Sequence, residues 1–343
     1  IPQVPHTFGS RLVVGANFTL YLQSGWLLVR DALRGADVVH SVGASFAGIL
    51  GGHWARRARV PHVMQAIGSD INSILPNVQT WPVIRGWERR CDAIVCNSRA
   101  LARTVGASFP NAPQAEVVYR GTDLQTFTPV PRTQANGVRF VFLGGFPDYP
   151  ELPARRNTKG GETLSRAWAE RERELHALGA TLSLGGPASD TPAVRAWRDA
   201  LAFPGSVTIE GIVPPQSVAD AMRDADVVLV PSLEEGLPNI AVEAAACGVP
   251  VFGSDVGGIP EIVRHGETGL VLPPGDVRAW GDALVAYAAR GAELAAMGER
   301  ARAHAETSFD AREYGTRMTT IYERVATRLM QTGDNRSCVE SQA

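Results

Sequence analysis

Short apolar runs rich in β-branched residues alternate with longer stretches of helical periodicity along nearly the whole chain. Strands that alternate with helices of about ten residues or more form βαβ units, and continuously apolar strands are covered on both faces. The pattern therefore predicts an α/β fold built on parallel sheets. The predicted strands are Asp37–Val42, His62–Ile67, Asp92–Cys96, Ala115–Tyr119, Val138–Leu143, Ala180–Leu184, Val207–Ile212, Asp226–Val230, Pro250–Gly253 and Thr268–Leu272. The helical patterns include Gly161–Leu178, Val194–Leu201, Ser217–Arg223, Asn239–Cys247 and Val277–Ala289.

The clearest domain boundary is the polar, proline-containing stretch Thr128–Gly137. Four predicted strands precede it and six follow, so we expect two doubly wound, Rossmann-like domains, 1–130 and 131–308, that face a cleft. A C-terminal helix at 309–330 can pack back on the first domain, and the polar tail 331–343 is expected to fray. Because four strands are few beside six and the chain starts at Ile1, we expect the first domain to be truncated at its N-terminus.

Composition places the chain among ordinary globular proteins and excludes several classes. Hydrophobic residues make up 45% and charged residues 20%, and the net charge of −2 leaves no broad basic field for nucleic acid. The four cysteines lack the spacing of metal ligands and are too few for a disulfide scaffold. No apolar run approaches the ~20 residues that span a bilayer, and the first residues lack the pattern of a signal peptide. We therefore expect a soluble, cytoplasmic protein.

One basic residue differs from all the others. Lys159 is the only lysine among the 33 lysines and arginines of the chain. An ammonium group is a compact point charge and a guanidinium is a planar fork, so a site that needs the first does not accept the second. Lys159 is therefore a candidate for a specific contact, although an arginine-rich composition can also leave a single lysine by drift.

The segment Asp226–Asp276 carries the most chemistry. It opens with a buried strand, continues through the loop Ser232–Leu237 and enters an apolar helix at about Pro238. Glu243 lies in the middle of this helix, where an ionised carboxylate costs several kcal/mol unless a partner satisfies it. Two interpretations stay open: a core salt bridge to an arginine, or a position in a cleft at the strand ends where the carboxylate binds ligand hydroxyls.

Glu235 lies in the loop before that helix, eight positions ahead of Glu243. The free N–H groups around Leu237–Ile240 form an anion site, which the positive end of the helix dipole reinforces. A loop between a strand end and a helix start is also where doubly wound folds bind ligands. The segment therefore offers a phosphate cradle and two carboxylates that can accept hydrogen bonds from sugar or ribose hydroxyls.

Several segments, spread over about Ala36–Asp276, resemble the retaining glycosyltransferases of family 4. The most specific is the E-x7-E motif in EGLPNIAVE, preceded by VPS and followed by ACGVPVFGSDVGGIPEIV and GETGLVLPPGD. VVYRGTDLQTF, FVFLGG and DAIVCNSRAL resemble the family's end of the first domain, glycine turn of the second domain and serine-capped helix. The resemblance implies the two-domain GT-B fold. It also implies sugar transfer from a nucleoside diphosphate sugar to an acceptor hydroxyl, with retention at the anomeric carbon.

The resemblance also implies roles for the charged residues. Lys159, in NTKGG, would contact the donor diphosphate and stabilise the charge that develops as the diphosphate leaves. Glu235 would hold the transferred sugar and Glu243 the ribose of the nucleotide. Lys159 and Glu235 are therefore the residues expected to lie closest to the chemistry.

Backbone groups complete the implied donor site. The resemblance places N–H groups of Pro238, Asn239 and Ile240 on phosphate and the backbone of Val213 on the base. The full set of implied donor-site residues is Gly144, Gly145, Arg156, Lys159, Val213, Glu235, Gly236, Leu237, Pro238, Asn239, Ile240 and Glu243.

The chain departs from the family pattern at two positions. Many members carry an arginine directly after the glycine turn, where this chain has Gly145, and Arg155 or Arg156 is the candidate substitute. Many members also read His-Gly-x-Asp after a first-domain strand, where this chain has Ile67 instead of the histidine. Loss of the histidine changes the sugar preference or impairs turnover. One alternative is another reaction of the same fold on nucleotide sugars, such as epimerisation. Ile67 and the missing first strand motivate the other alternative, a nucleotide-sugar-binding homologue without catalysis.

No cofactor or metal is expected. Asp224–Asp226 spells D-x-D, the metal motif of a different glycosyltransferase fold, but here it marks a junction between helix and strand. The expected partners are a sugar linked to UDP, GDP or ADP and a sugar or lipid-linked acceptor. Two arginine groups are solvated helix faces or, alternatively, a patch drawn to anionic lipid at the inner face of a membrane: Arg56, Arg57 and Arg59, and Arg85, Arg89 and Arg90.

Overall fold

Two parallel sheets carry the fold. The computed structural model describes residues 23–44, 46–74, 87–131, 137–146 and 158–340. All the predicted strands are present, which confirms the α/β class. The strands are β1 Val39–Val42, β2 His62–Ala66, β3 Ala93–Cys96, β4 Ala115–Val117, β5 Arg139–Phe142, β6 Thr181–Gly185, β7 Val207–Gly211, β8 Val227–Val230, β9 Val251–Ser254 and β10 Gly269–Leu272.

Helices lie between these strands, as the periodicity predicts. In the described ranges, residues 23–33 are helical, and short turns of 3₁₀- or π-helix are also present. The α-helices are Phe46–Ala58, Arg99–Ser108, Gly161–Ala177, Pro192–Asp199, Val218–Arg223, Asn239–Ala246, Ile259–Ile262, Val277–Tyr287, Gly291–Ser308 and Ala311–Glu340.

The first sheet has the strand order β1-β2-β3-β4, and every neighbouring pair is parallel. β2 and β3 are buried along their whole length, as expected for strands covered on both faces. Met64, Ile94 and Leu101 lie in the core beside this sheet. The Ser98 hydroxyl accepts a hydrogen bond from the Leu101 N–H at 3.1 Å and caps the helix after β3, which confirms the predicted serine cap.

The second sheet has the order β10-β9-β8-β5-β6-β7 and is also parallel throughout. Successive residues of β5 face opposite sides of the sheet. Phe140 and Phe142 pack in a cluster with Trp168 and Trp280, whereas Val141 packs in the cluster on the other face. Both faces of β5 are therefore buried, and the strand order places β5 in the middle of the sheet beside β8.

The chain forms two compact units, and the second spans Tyr119–Tyr314. It therefore begins before the proline-containing stretch at which the sequence predicts a boundary. Two arginines contribute bonds to the stretch that joins this unit: Arg302 donates to the carbonyl of Phe127 at 2.7 Å, and Arg223 donates to the carbonyl of Thr126 at 2.6 Å. These bonds attach the segment after Tyr119 to the second unit.

The C-terminal helix Ala311–Glu340 rejoins the first unit from Gly315 onward. It continues through most of the segment 331–343, which the sequence predicts to fray. Within the first unit, the hydroxyl of Tyr322 lies 2.8 Å from Nδ1 of His40, and Arg324 pairs with Glu116. These contacts fix this part of the helix beside β1 and β4.

Candidate functional site

The carboxyl ends of β5 and β8 lie at the centre of the second sheet. From β5 the chain runs to β6 and β7 on one side, and then to β8, β9 and β10 on the other. Loops that leave neighbouring strands in opposite directions open a crevice at the strand ends, the usual ligand site of doubly wound folds. We call the place where the loops after β5 and β8 diverge the switch point. The loop after β5 leads to Lys159 and the loop after β8 contains Glu235, so the switch point brings the two residues together.

Lys159 and Glu235 form an ion pair at the switch point. The Nζ atom of Lys159 lies 2.6 Å from Oε1 of Glu235. The lysine side chain is 47% exposed and the glutamate side chain only 9%, so the carboxylate is fixed inside while the ammonium remains accessible. The N–H of Leu233 donates to the carbonyl of Thr158 at 2.7 Å, which ties the two loops together.

Gly160 permits the close approach of these loops. Its φ of 74° lies in the left-handed region that favours glycine, and it directly precedes the helix Gly161–Ala177. A Cβ at this position would lie 1.8 Å from the carbonyl oxygen of Pro231. A side chain here would push Lys159 away from the Glu235 loop, which is the physical reason for glycine after the lysine.

The Glu235 loop is held from its other side by Gly257 and Gly258. A Cβ at Gly257 would lie 2.1 Å from the carbonyl oxygen of Glu235, and the Gly258 N–H donates to the carbonyl of Gly236 at 2.7 Å. The buried hydroxyl of Ser232 donates to Oε1 of Glu235 at 2.8 Å. None of these three residues was among the predicted site residues. The P-S-x-x-E spacing is the signal that could have identified the serine.

The helix Asn239–Ala246, called the Glu243 helix below, begins just after Pro238. Pro238 is its N-cap and makes no side-chain capping hydrogen bond. Proline carries no amide hydrogen, so of the three residues implied to donate to phosphate only Asn239 and Ile240 have an N–H. The donors at the positive end of this helix dipole are therefore those two groups.

Glu243 lies on the one face of its helix that is not fully buried. Asn239 is exposed, Ile240 and Glu243 are half-buried, and the other residues of the helix are buried. Spacings of three and four residues place these side chains on one face. Burial raises the pKa of Glu243, and the positive charge of Arg120 lowers it in part. Among the described residues Glu243 forms no ion pair, and the choice between a core salt bridge and ligand binding stays a prediction.

Glycines line the strand ends on the other side of the switch point. Gly144–Gly145 follow β5 after a single leucine, and the Gly186 N–H donates to the carbonyl of Gly211 at 2.8 Å. Val213 follows β7, and a Cβ on Gly185 would lie 2.8 Å from its side chain. Because glycines carry no side chain, this edge leaves backbone groups accessible to a ligand.

Other predicted residues lie outside the described ranges or serve the fold. Arg155 and Arg156 lie outside them, so the choice between these arginines stays a prediction. Asp226 accepts the Arg139 N–H at 2.8 Å, and Asp224 lies 4.0 Å from the Arg139 guanidinium, so the D-x-D motif supports a strand junction. Among the residues with described positions, no three His, Cys, Asp or Glu side chains are grouped to hold a metal ion.

In the first unit, the turn after β2 is built around Asp70. Its buried carboxylate accepts N–H groups of Ala44 at 2.5 Å, Gly68 at 2.7 Å and Ile67 at 3.1 Å. The amide of Asn97, which follows β3, donates to the carbonyl of Ile67 at 2.9 Å. Asp70 therefore joins the ends of β1 and β2, and Ile67 is left 43% exposed.

The arginine groups are only partly described, since Arg85 lies outside the described ranges. Burial lowers the pKa of His53, and the positive charges of Arg90, Arg57 and Arg56 lower it further. These three arginines therefore form a positive patch around His53. None of the helices within the described ranges is both long and apolar enough to cross a bilayer. Contact with anionic lipid stays a prediction.

Two family models match the chain. Residues 137–290 match the family described as "Glycosyl transferases group 1". Residues 3–126 match the family described as "Glycosyltransferase Family 4". The first match includes Lys159, Glu235 and Glu243.

The chain is similar to curated proteins named D-inositol 3-phosphate glycosyltransferase. The protein of Saccharomonospora viridis is 33% identical over 231 residues, which cover 63% of this chain and 52% of that protein. The protein of Mycobacterium sp. (strain KMS) is 34% identical over 233 residues, which cover 63% of this chain and 48% of that protein. The chain thus spans about half the length of the curated relatives it matches.

Solved structures share the fold. HepE of Anabaena in complex with UDP has a TM-score of 0.74 at 20% identity, covering 87% of this chain and 82% of that chain. Sucrose-phosphate synthase of Thermosynechococcus elongatus has a TM-score of 0.72 at 21% identity, covering 95% of this chain and 82% of that chain. The HepE complex with UDP-glucose has a TM-score of 0.69 at 21% identity, covering 89% of this chain and 82% of that chain. These likenesses confirm the predicted GT-B fold.

Proposed function

The chain belongs to the group 1 glycosyltransferases of family 4, and on this premise we propose that it transfers a sugar from a nucleoside diphosphate sugar to an acceptor hydroxyl, with retention at the anomeric carbon. The observation that carries the proposal is the ion pair of Lys159 and Glu235 at the switch point of the second sheet. Glu235 also lies only four residues before the start of the Glu243 helix. Positive charge, a carboxylate and free helix N–H groups then meet where such folds bind ligands.

The main barrier to the proposed reaction is the charge that develops on the departing diphosphate. Lys159 supplies a compact, accessible ammonium for that charge. The N–H groups of Asn239 and Ile240 supply fixed dipoles at a helix start, which need no reorganisation as the charge develops. We include no metal ion in this proposal, because these groups supply the positive charge that the leaving group requires.

The two carboxylates recognise the uncharged parts of the donor. Glu235 is held almost completely inside the loop, so its oxygens are fixed to accept hydroxyls of the transferred sugar. Glu243 shares a helix face with Asn239 and Ile240, so a nucleotide whose phosphates meet the helix start places its ribose toward this carboxylate. The edge at Gly144–Gly145 and Val213 then takes the base.

Retention in this proposal requires no protein nucleophile. The bond between the anomeric carbon and the phosphate oxygen breaks, and the acceptor oxygen bonds to the anomeric carbon on the face that the phosphate leaves. The leaving phosphate itself accepts the proton of the acceptor hydroxyl. Lys159 stabilises the phosphate through this step, so its charge acts on the transition state more than on the bound donor.

The names of similar proteins indicate which donor and acceptor to test first. The HepE structures hold UDP and UDP-glucose, and the curated relatives are named for D-inositol 3-phosphate. We propose a UDP-linked sugar as the first donor and D-inositol 3-phosphate as the first acceptor to be tested.

A thermal-shift panel tests the donor site. UDP, GDP, ADP and their glucose or mannose derivatives are compared with the matching nucleosides, which lack phosphate. A ligand that binds only the folded state stabilises it by about 2.7 kcal/mol at a hundred times its Kd. We expect one diphosphate series to raise the melting temperature and its nucleoside to have much less effect.

Product analysis then separates the proposed transfer from its alternatives. Incubation with donor and acceptor should yield a glycoside of unchanged anomeric configuration by NMR. A changed sugar without any acceptor would instead indicate an epimerase, and binding without turnover would indicate a homologue without catalysis. Absence of binding to every nucleotide in the panel would overturn the proposal.

A further inference from the structure

One oxygen of Glu235 receives two donors of different kinds. The Ser232 hydroxyl donates to Oε1 at 2.8 Å, and Nζ of Lys159 lies 2.6 Å from the same oxygen. Ser232 is 1% exposed and stands two residues after the end of β8. A serine hydroxyl has a single proton to donate, and here that proton is directed at the carboxylate.

The two donors differ in their freedom to move. Lys159 carries its charge at the end of a flexible four-carbon chain that is 47% exposed. Ser232 has one short side-chain torsion, and its backbone is fixed because the neighbouring Leu233 N–H donates to the carbonyl of Thr158. Of these two donors, the serine therefore holds Glu235 from the less mobile position.

In the proposed reaction the N–H groups of Lys159 have to serve both Glu235 and the diphosphate. The bond from Lys159 to the carboxylate weakens when the donor binds, at the moment when Glu235 has to accept sugar hydroxyls. We infer that Ser232 is a positioning residue, which keeps the Glu235 carboxylate aligned for the transferred sugar while Lys159 serves the diphosphate. This inference rests on the proposed function and deepens it.

The inference predicts that Ser232 affects the sugar more than the nucleotide. The Ser232→Ala variant should bind the nucleoside diphosphate within about twofold of the unchanged protein. Its affinity for the matching nucleotide sugar should fall about tenfold or more, because a hydrogen bond to a charged group is lost. Isothermal titration with UDP and UDP-glucose, GDP and GDP-mannose, and ADP and ADP-glucose measures the ratio of the two Kd values.

Three further variants separate positioning from general destabilisation. Ser232→Thr keeps the hydroxyl and should restore the ratio. Ser206→Ala removes another buried hydroxyl of the same unit, which bonds to the Phe203 carbonyl at 2.8 Å, and should leave the ratio unchanged. In a Glu235→Ala background, Ser232→Ala should have almost no additional effect, because residues that act as one unit are not additive.

The outcomes distinguish this inference from the proposed function. If the unchanged protein binds none of the three pairs, the proposed function fails and the inference fails with it. If the unchanged protein binds one pair and Ser232→Ala alters neither affinity, or weakens both equally, only the inference is overturned. A changed ratio that Ser232→Thr restores supports it.

Discussion

The ammonium of Lys159 and the carboxylate of Glu235 are 2.6 Å apart although 76 residues separate them in sequence. The contact depends on β5 lying beside β8, which brings the loops after both strands to one place. A lysine that pairs with a nearly buried carboxylate through a flexible side chain can also reach a diphosphate bound beside that carboxylate. The pair therefore places both charged groups where the chemistry that we propose requires them.

The Lys159→Arg variant should retain its fold and lose most of its activity. The charge stays, but a guanidinium fork cannot occupy the position of a compact ammonium 2.6 Å from Glu235. We expect sugar transfer to fall at least about a hundredfold, equivalent to about 3 kcal/mol of transition-state stabilisation. Turnover and the melting temperature check this. Arg278→Lys, on an 89% exposed side chain, is the control and should leave both unchanged.

Replacing Gly160 by alanine should move Lys159 without touching its side chain. The left-handed φ of 74° and the carbonyl of Pro231, 1.8 Å from the added Cβ, both oppose the substitution. We expect a loss of stability above about 1 kcal/mol and a loss of nucleotide binding. Gly291→Ala adds a Cβ that meets nothing within 4 Å at a helix start and should preserve both. Equal behaviour of the two variants would refute the assigned role of Gly160.

The Glu243→Gln variant should weaken ribose recognition without unfolding the protein. Burial raises the pKa of Glu243, so its ionised form is costly and a neutral amide of the same shape is tolerated. We expect unchanged or slightly higher stability and about tenfold weaker nucleotide binding. The measurement that tests this compares the Kd of UDP with that of 2′,3′-dideoxy-UDP, which lacks both ribose hydroxyls.

The unchanged protein should discriminate between those two ligands, and the Glu243→Gln variant should discriminate much less. Glu293→Gln removes a carboxylate whose side chain is 44% exposed, and this control should discriminate like the unchanged protein. Full discrimination retained by Glu243→Gln would show that Glu243 does not contact the ribose.

The first unit should lose stability in mild acid through His62. Burial lowers the pKa of His62 to about 4, and its ring contacts Ser41 Oγ at 3.0 Å. The unfolded chain takes up this proton near its ordinary pKa of about 6.5, whereas the folded chain resists until about 4. Stability is therefore present above about pH 6.5 and falls by up to about 3 kcal/mol as pH drops to about 4.

Denaturant unfolding of the unchanged protein and of His62→Gln at pH 7 and pH 5 measures how much of the stability lost in acid is due to His62. The variant should lose less stability between the two pH values. His40, His53 and His304 also have pKa values lowered mainly by burial, so part of the acid sensitivity should remain in the variant. An identical loss in both proteins would assign the acid sensitivity to those other groups.

The strands of this protein could be predicted because each is a local pattern. Residues of β8 are apolar on both faces, and that property is visible within a few residues of sequence. Errors at the ends also have local causes. The predicted ninth strand begins at Pro250, but a proline has no N–H to donate, and β9 begins at Val251.

The boundary between the units depended on contacts that sequence does not display. The prolines near residue 130 indicate a loop, yet the second unit begins at Tyr119. Among the bonds that hold this segment, Arg302 donates to the Phe127 carbonyl and Arg223 to the Thr126 carbonyl, over separations of 175 and 97 residues. A main-chain carbonyl has no residue-specific signature, so these bonds could not be inferred from residue types.

For the candidate site, the chain's residue types alone singled out Lys159 and Glu243, because a solitary lysine and a carboxylate in an apolar helix are unusual wherever they lie. The partners of these residues were decided by tertiary structure. The order of strands in a parallel sheet is set by packing across the whole unit, and only that order places Lys159 against Glu235 and leaves one face of the Glu243 helix open. Chemistry carried by single side chains is local in sequence, whereas the distance between two of them is a property of the folded chain.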